Sequence, residues 1–183
     1  EYGIWALIIG TLKITFIATI VSVPIGLGAA IYLNEYASDR TRRIIKPILE
    51  ILAGIPTIVF GFFALTFVTP ILRSIIPGLG EFNSISPGIV VGIMIVPIIT
   101  SLSEDAMSSV PNKIREGAYG LGATKFEVAT KVVLPAATSG VVASIVLGIS
   151  RAIGETMIVS LAAGSSPTSS LSLTSSIQTM TGY

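Results

Sequence analysis

Long uncharged stretches alternate with short charged ones along this chain, and their lengths are those of membrane crossings. A helix that spans a bilayer needs about 20 mostly apolar residues. Four stretches reach or approach that length. Residues 14–33 carry no charge, 48–72 carry only Glu50 near the start, 87–102 are fewer and are interrupted by Pro97, and 136–164 carry only Arg151 and Glu155. Residues 3–12 are also apolar but are cut off by Lys13, so they either extend the first helix or lie along the interface, where Trp5 is comfortable. Pro24, Pro56 and Pro97 each fall inside a predicted span. Membrane helices packed against neighbours tolerate proline, whether it kinks a pathway or merely sits there. The pattern predicts an all-α, polytopic membrane protein forming one transmembrane domain over 1–183.

Composition agrees with that reading. Hydrophobic residues make up 51% and charged residues 11% of the 183, with a mean hydropathy of +0.87, whereas a soluble domain carries about 25% charged residues. The outer surface therefore faces lipid. Histidine and cysteine are absent, which removes disulfides, Cys/His metal sites, thiol nucleophiles and imidazole bases together. No cofactor is expected. A net charge of +1 argues against nucleic acid as a partner. The chain opens on Glu1 and closes in a Ser/Thr-rich stretch, which reads as a fragment of a longer protein, its tail (165–183) being either a loop to a further span or a disordered end.

Charge predicts orientation. Arg40, Arg42, Arg43 and Lys46 follow the first span, and Lys113, Arg115, Lys125 and Lys131 follow the third; the loop 73–86 has only Arg73, and residues 165–183 have no Lys or Arg. Under the positive-inside rule the N-terminus lies outside, and loops at about 34–47 and 104–135 are cytoplasmic. The first basic group also suits anionic lipid. Glu104 and Asp105 begin the second loop and either meet its basic residues or stay wet, while Glu50, Arg73 and Glu81 lie near span ends as solvated boundary charges.

The connection from Glu104 to Pro135 is long for a link between membrane helices. Its segments 113–120 and 123–134 read as helices broken at Gly120 and Gly122, and Phe126, Ala129 and Val133 recur at helical spacing. Such a hairpin suits either a cleft on a partner protein or the membrane surface. Residues 115–135, REGAYGLGATKFEVATKVVLP, resemble the signature of ABC importer permeases: Glu-Ala-Ala, three residues, Gly, nine residues, Ile-x-Leu-Pro. Glu116 and Ala118 fit the triplet, Gly122 the glycine, and Leu134 and Pro135 the end; Gly117 stands for an Ala and Val132 for the Ile. The resemblance implies an ABC importer permease core of the MetI-like type, in the cell (inner) membrane, whose coupling helix docks onto a separate ATP-binding subunit. No phosphate-loop motif appears in the chain, so ATP hydrolysis is expected on that partner, and the chain itself is not an enzyme.

Three further stretches, IYLNEYA at 31–37, LAGIPTIVFGFFAL at 52–65 and SRAIGETMIV at 150–159, resemble the phosphate branch of these permeases. The stretch MIVPIITSLSEDAMSSVP at 94–111, together with Gly-Glu-Thr-Met at 154–157, is more similar to a PstC-type subunit than to its PstA-type partner. The resemblance implies a phosphate importer with a second permease subunit and an extracytoplasmic phosphate-binding protein. A permease for another oxyanion, sulfate or molybdate, is the alternative. A transporter or channel without an ATPase would leave the loop signature unexplained, and a purely structural scaffold would leave Arg151 so.

In the last predicted span Gly140, Ser144, Gly148 and Ala152 form a stripe of small residues. Arg151 and Glu155 fall in the same arc on a continuous helix and so are expected to face helices or a cavity. An Arg at mid-span costs about 2.5–3.5 kcal/mol to insert. One reading places Arg151 in the translocation pathway, its guanidinium matched to an oxyanion and Glu155 neutralising it when empty; the other makes the two a packing ion pair. Lys13 is a weaker pathway candidate because it can snorkel to the interface.

Overall fold

A computed structural model describes residues 4–166 and 172–183, and every regular element among the described residues is helical. Helices α1 (Ile4–Tyr36), α3 (Thr57–Ile75) and α4 (Ile85–Ser108) are each long and apolar enough to cross a membrane. Between them lies α2 (Asp39–Ala53). After α4 come α5 (Asn112–Gly120) and α6 (Lys125–Ala136), which meets α7 (Thr138–Ile153) at a bend of 76°; that pair is a fourth candidate crossing. A short α8 (Met157–Ala162) follows. The protein is an all-α, multi-pass membrane protein.

Three boundaries differ from the sequence pattern for local reasons. Helix α1 begins at Ile4 and takes Lys13 into its length, because the ammonium finds the carbonyl of Ser172 at 3.0 Å. The stretch 48–72 is divided at Gly54–Pro56, so Ile48–Ala53 belong to α2 and the span starts at Thr57. The residue before a proline disfavours helix, and proline itself suits a helix entry; Pro56 therefore separates two helices, while Pro24 and Pro97 lie inside theirs. The stretch 136–164 is interrupted at Ala137 and again at Gly154–Thr156. Within the Ser/Thr-rich tail, 167–171 lie outside the described residues, whereas 172–183 fold back. Ile177 is buried in the core, and the Met180 N–H donates to Thr11 Oγ1 at 3.1 Å.

The chain forms two compact units, one from Glu1–Ser22, Gly54–Ile95 and Ile149–Tyr183, the other from Val23–Ala53 and Val96–Gly148. In the first, α1 and α4 meet through Gly88 and Gly92. A Cβ on Gly88 would lie 2.7 Å from Ile17 Cγ2, and one on Gly92 would lie 2.9 Å from Val21 Cβ and 3.0 Å from the Ala18 carbonyl. Above this contact Val90, Val91, Met94 and Ile95 close around Ile14, Ala18 and Ile158. Helix α3 carries a π turn at Ala64–Val68. Its displaced Ala64 carbonyl is met by the hydroxyls of Thr69 at 2.9 Å and Ser86 at 3.0 Å, so no backbone acceptor is stranded in the apolar core.

The second unit uses the same device. A Cβ on Gly26 would lie 2.8 Å from Ile99 Cγ2, and beside it Thr100 donates to the Gly26 carbonyl at 3.2 Å. Gly140 of α7 lies against the Cβ of Ala106 on α4, and one turn away the hydroxyls of Ser103 and Ser144 share a hydrogen bond of 2.6 Å. Ala30, Met107, Val110, Val128 and Val133 complete this core.

Gly140→Leu should lower the thermal midpoint of the detergent-solubilised protein, because overpacking a close contact costs about 1–3 kcal/mol. Gly28→Ala, at a helical position whose added Cβ meets nothing within 4 Å, should leave the midpoint unchanged or raise it slightly.

Candidate functional site

The connection that follows α4 is built from two local backbone devices placed back to back. Helix α5 stops because Gly122 adopts φ +86°, a left-handed conformation that other residues rarely enter. The Ala123 N–H returns to the Ala118 carbonyl at 3.2 Å and the Gly122 N–H to the Tyr119 carbonyl at 3.0 Å, the two bonds of a Schellman ending. Ala118 and Ala123 both pack against the second core, which is the apolar contact that such an ending carries. The chain restarts at once. Thr124 caps α6 through a reciprocal box, its hydroxyl accepting from the Glu127 N–H at 3.3 Å while the Glu127 carboxylate accepts from the Thr124 N–H at 3.0 Å. Those bonds from Thr124, backbone first and hydroxyl second, and then Lys131, hold the Glu127 carboxyl below its ordinary range.

What this turn displays is unusual for its polarity. Leu121 at its apex is 92% exposed and Phe126 67%, with Ile114 and Tyr119 exposed nearby. A Cβ placed on Gly117, Gly120 or Gly122 would meet nothing within 4 Å, so packing inside this chain requires none of the three glycines. Among the signature residues, Glu116 and Gly117 lie exposed on α5 and Ala118 is half-buried beneath them. Leu134 packs against the core and Pro135 is exposed just before the bend. The expected stripe of Phe126, Ala129 and Val133 is divided. Ala129 and Val133 are fully buried, but a π turn over Ala129–Val133 alters the helical phase, and Phe126 points outward.

Arg151 and Glu155, in the first unit, are not one turn apart on a continuous helix. Helix α7 ends at Ile153, and the Gly154 and Glu155 N–H groups close that end on the carbonyls of Ser150 and Ala152 at 3.1 and 3.3 Å. Glu155 is buried, and its carboxylate accepts from the Ile158 N–H at 3.2 Å, where α8 begins. Its carbonyl accepts from the Thr181 hydroxyl at 3.0 Å. Arg151 is exposed on the last turn of α7, and among the described residues no ion pair joins it to Glu155. The shared arc expected of these two residues is lost because Gly154 lets the helix end between them. The small-residue stripe does form: Ser144, Gly148 and Ala152 are buried.

Sequence reasoning missed a charge cluster built on a buried carboxylate in the second unit. Glu104, near the end of α4, has no exposed surface, and Arg42 and Lys46 of α2 both pair with it. Lys46 Nζ lies 2.7 Å from Oε2, out of line for a hydrogen bond, and 2.5 Å from Asp105. The signal was the i, i+4 spacing of Arg42 and Lys46, which puts both on one face of α2. Arg40, Arg43, Ile44, Ile48 and Ile51 are exposed on its other side.

Comparison with known proteins places this geometry in a family. Residues 22–183 match the family described as binding-protein-dependent transport system inner membrane component. The chain is 40% identical over 185 residues to the phosphate transport system permease protein PstC of Haemophilus influenzae, covering 91% of this chain and 59% of that one. It is 38% identical over 165 residues to the probable ABC transporter permease protein YqgH of Bacillus subtilis, covering 90% and 53%. The chain thus spans a little over half the length of these relatives. The methionine ABC transporter MetNI, solved in inward-facing conformations, shares the fold with a TM-score of 0.68 at 22% identity, over 82% of this chain and 71% of that one. This chain belongs to the family of binding-protein-dependent transport system inner membrane components.

Gly122→Ala should loosen the turn, since a side chain in the left-handed region costs about 1–2 kcal/mol, whereas Gly120→Ala should not. Amide hydrogen exchange over 118–128 checks this, with faster exchange expected in the first variant alone.

Proposed function

We propose that this chain is a membrane-spanning permease subunit of an ATP-driven phosphate importer, docking an ATP-binding subunit at the turn between α5 and α6. The observation that carries the reading is the form of that turn. It is held rigidly from beneath by a Schellman ending and a capping box, yet offers Leu121 and three uncrowded glycines outward. Apolar side chains that serve no internal packing, beside backbone that another protein can approach closely, suit a partner's cleft. Glu116, Gly117, Ala118 and Gly122 form or support that surface, and Leu134 and Pro135 hold the elbow into α7. In this reading loops 34–47 and 104–135 are cytoplasmic and the N-terminal end of the chain lies outside. ATP hydrolysis is on the partner, which biases a two-state arrangement of the helices.

Phosphate as the substrate is supported by the relatives named as phosphate permeases. Selection would rest largely on an extracytoplasmic phosphate-binding protein, and a second permease subunit would complete the pathway. Arg151 is the proposed pathway residue. Exposed on this chain and without an ion pair to Glu155, its guanidinium is available to an oxyanion passing between subunits, where a planar fork of donors matches tetrahedral oxygens. Glu155 supports it indirectly, its carboxylate accepting from the Ile158 N–H in the first turn of α8, just beyond the break.

Arg151→Ala should abolish inorganic phosphate uptake by cells while membrane assembly, checked by copurification of partner subunits, is retained. Normal assembly with normal uptake would remove Arg151 from the pathway. For docking, Leu121→Asp leaves internal packing untouched and should reduce copurification of the ATP-binding subunit by roughly tenfold or more, the effect of losing a central apolar anchor. Undiminished copurification, also with Glu116→Ala, would end the docking assignment.

A further inference from the structure

Helix α5 bears one charged side chain that turns inward, and it immediately precedes Glu116. Arg115 is mostly buried, and its guanidinium spends its donors on three different segments. Nε lies 3.2 Å from Glu35 Oε1 at the end of α1. Nη2 donates to the Met107 carbonyl at 2.7 Å, and Nη1 donates to the Val110 carbonyl and to Asn112 Oδ1, both at 2.9 Å. The carbonyls belong to the end of α4 and the residues after it, where a helix leaves acceptors without intrahelical partners. Lysine has no such fork and would serve fewer of these acceptors at once.

The contact continues beyond Arg115. Glu35 also accepts from Asn34 Nδ2 at 2.6 Å, and the hydroxyl of Ser108 lies between Asn34 Oδ1 at 3.0 Å and Glu104 Oε1 at 2.7 Å, with its proton for one or the other. Glu104 holds Arg42 and Lys46 of α2. A chain of polar contacts anchored on the buried carboxylates Glu35 and Glu104 therefore connects α5 to the ends of α1 and α4 and on to α2. Glu35 and Glu104 are its buried charges, so displacing Arg115 or the α2 cations would leave a carboxylate uncompensated. Apolar contacts at the same place would let α5 slide.

We propose that Arg115 and Glu35 are the positioning pair that transmits displacement of α5 to the membrane helices, with Asn34, Ser108 and Glu104 extending the connection to α2. The proposal rests on the docking reading above and adds to it the route by which movement leaves the docked helix. Neither Arg115 nor Glu35 touches substrate or nucleotide in this scheme.

The test uses the full-length protein in the complete importer, with its ATP-binding subunit, second permease and binding protein, in proteoliposomes. Inorganic phosphate taken up is measured per ATP hydrolysed. Arg115→Gln and Glu35→Gln should each lower that ratio roughly fivefold, within the range of mutations along a coupling network, with the ATP-binding subunit still bound. The double variant should lose no more than either single one, because both remove the same connection. Should Arg115→Gln fail to assemble, the near-isosteric Glu35→Gln decides alone. A wild-type ratio in the assembled variants overturns this proposal and leaves the docking reading standing, as do losses that multiply in the double variant. If the unmodified permease captured no ATP-binding subunit, the docking reading would fall and this proposal with it.

Discussion

Inside a bilayer, two apolar helices gain nothing from hiding their surfaces from water, because lipid tails are as apolar as they are. What holds this chain's spans together is close approach. Where Gly88 and Gly92 admit Ile17 and Val21, and where Gly26 admits Ile99, the missing Cβ is what allows the neighbour in. Hydroxyls then bond across the narrow gaps, as Thr100 does to Gly26 and Ser103 to Ser144. Each unit's core is organised around such contacts, and the placement of α4, and hence of everything displayed after it, depends on them.

The distribution of polarity follows the inverse of a soluble protein's logic. Helix α2 turns Arg42 and Lys46 toward Glu104 and leaves Ile44, Ile48 and Ile51 exposed. Charge is expensive in the membrane region, and the fully buried Glu104 meets two counter-charges. The exposed turn at Leu121 follows a different rule, since both helices beside it are satisfied locally by backbone caps. A surface that owes its shape to its own hydrogen bonds can offer apolar side chains without collapsing around them.

Much of this was legible in the sequence, and the limits have physical causes. Apolar run length marked the spans, and the spacing of Glu116, Gly122 and Pro135 marked the turn, since each is a local property of the chain. Glu35 and Arg115 are far apart in sequence, so no local pattern announces that they meet. A uniform 100° per residue puts Arg151 and Glu155 on one arc, but the helix ends at Ile153 between them. Phe126 was placed with Ala129 and Val133 because helical spacing assumes a uniform pitch, which the π turn breaks. In the second basic loop the charges mark a connection, but counting them gives no sign that Arg115 turns inward.

The pairing of Arg42 and Lys46 with a fully buried Glu104 bears on how such a chain is made. While a segment is being inserted, its cations act through their number and position, before any tertiary partner exists. Once α4 arrives, two of those same cations are neutralised and become part of the packing. Under the positive-inside rule those cations would orient the segment, so pairing with Glu104 would give the same atoms a second use.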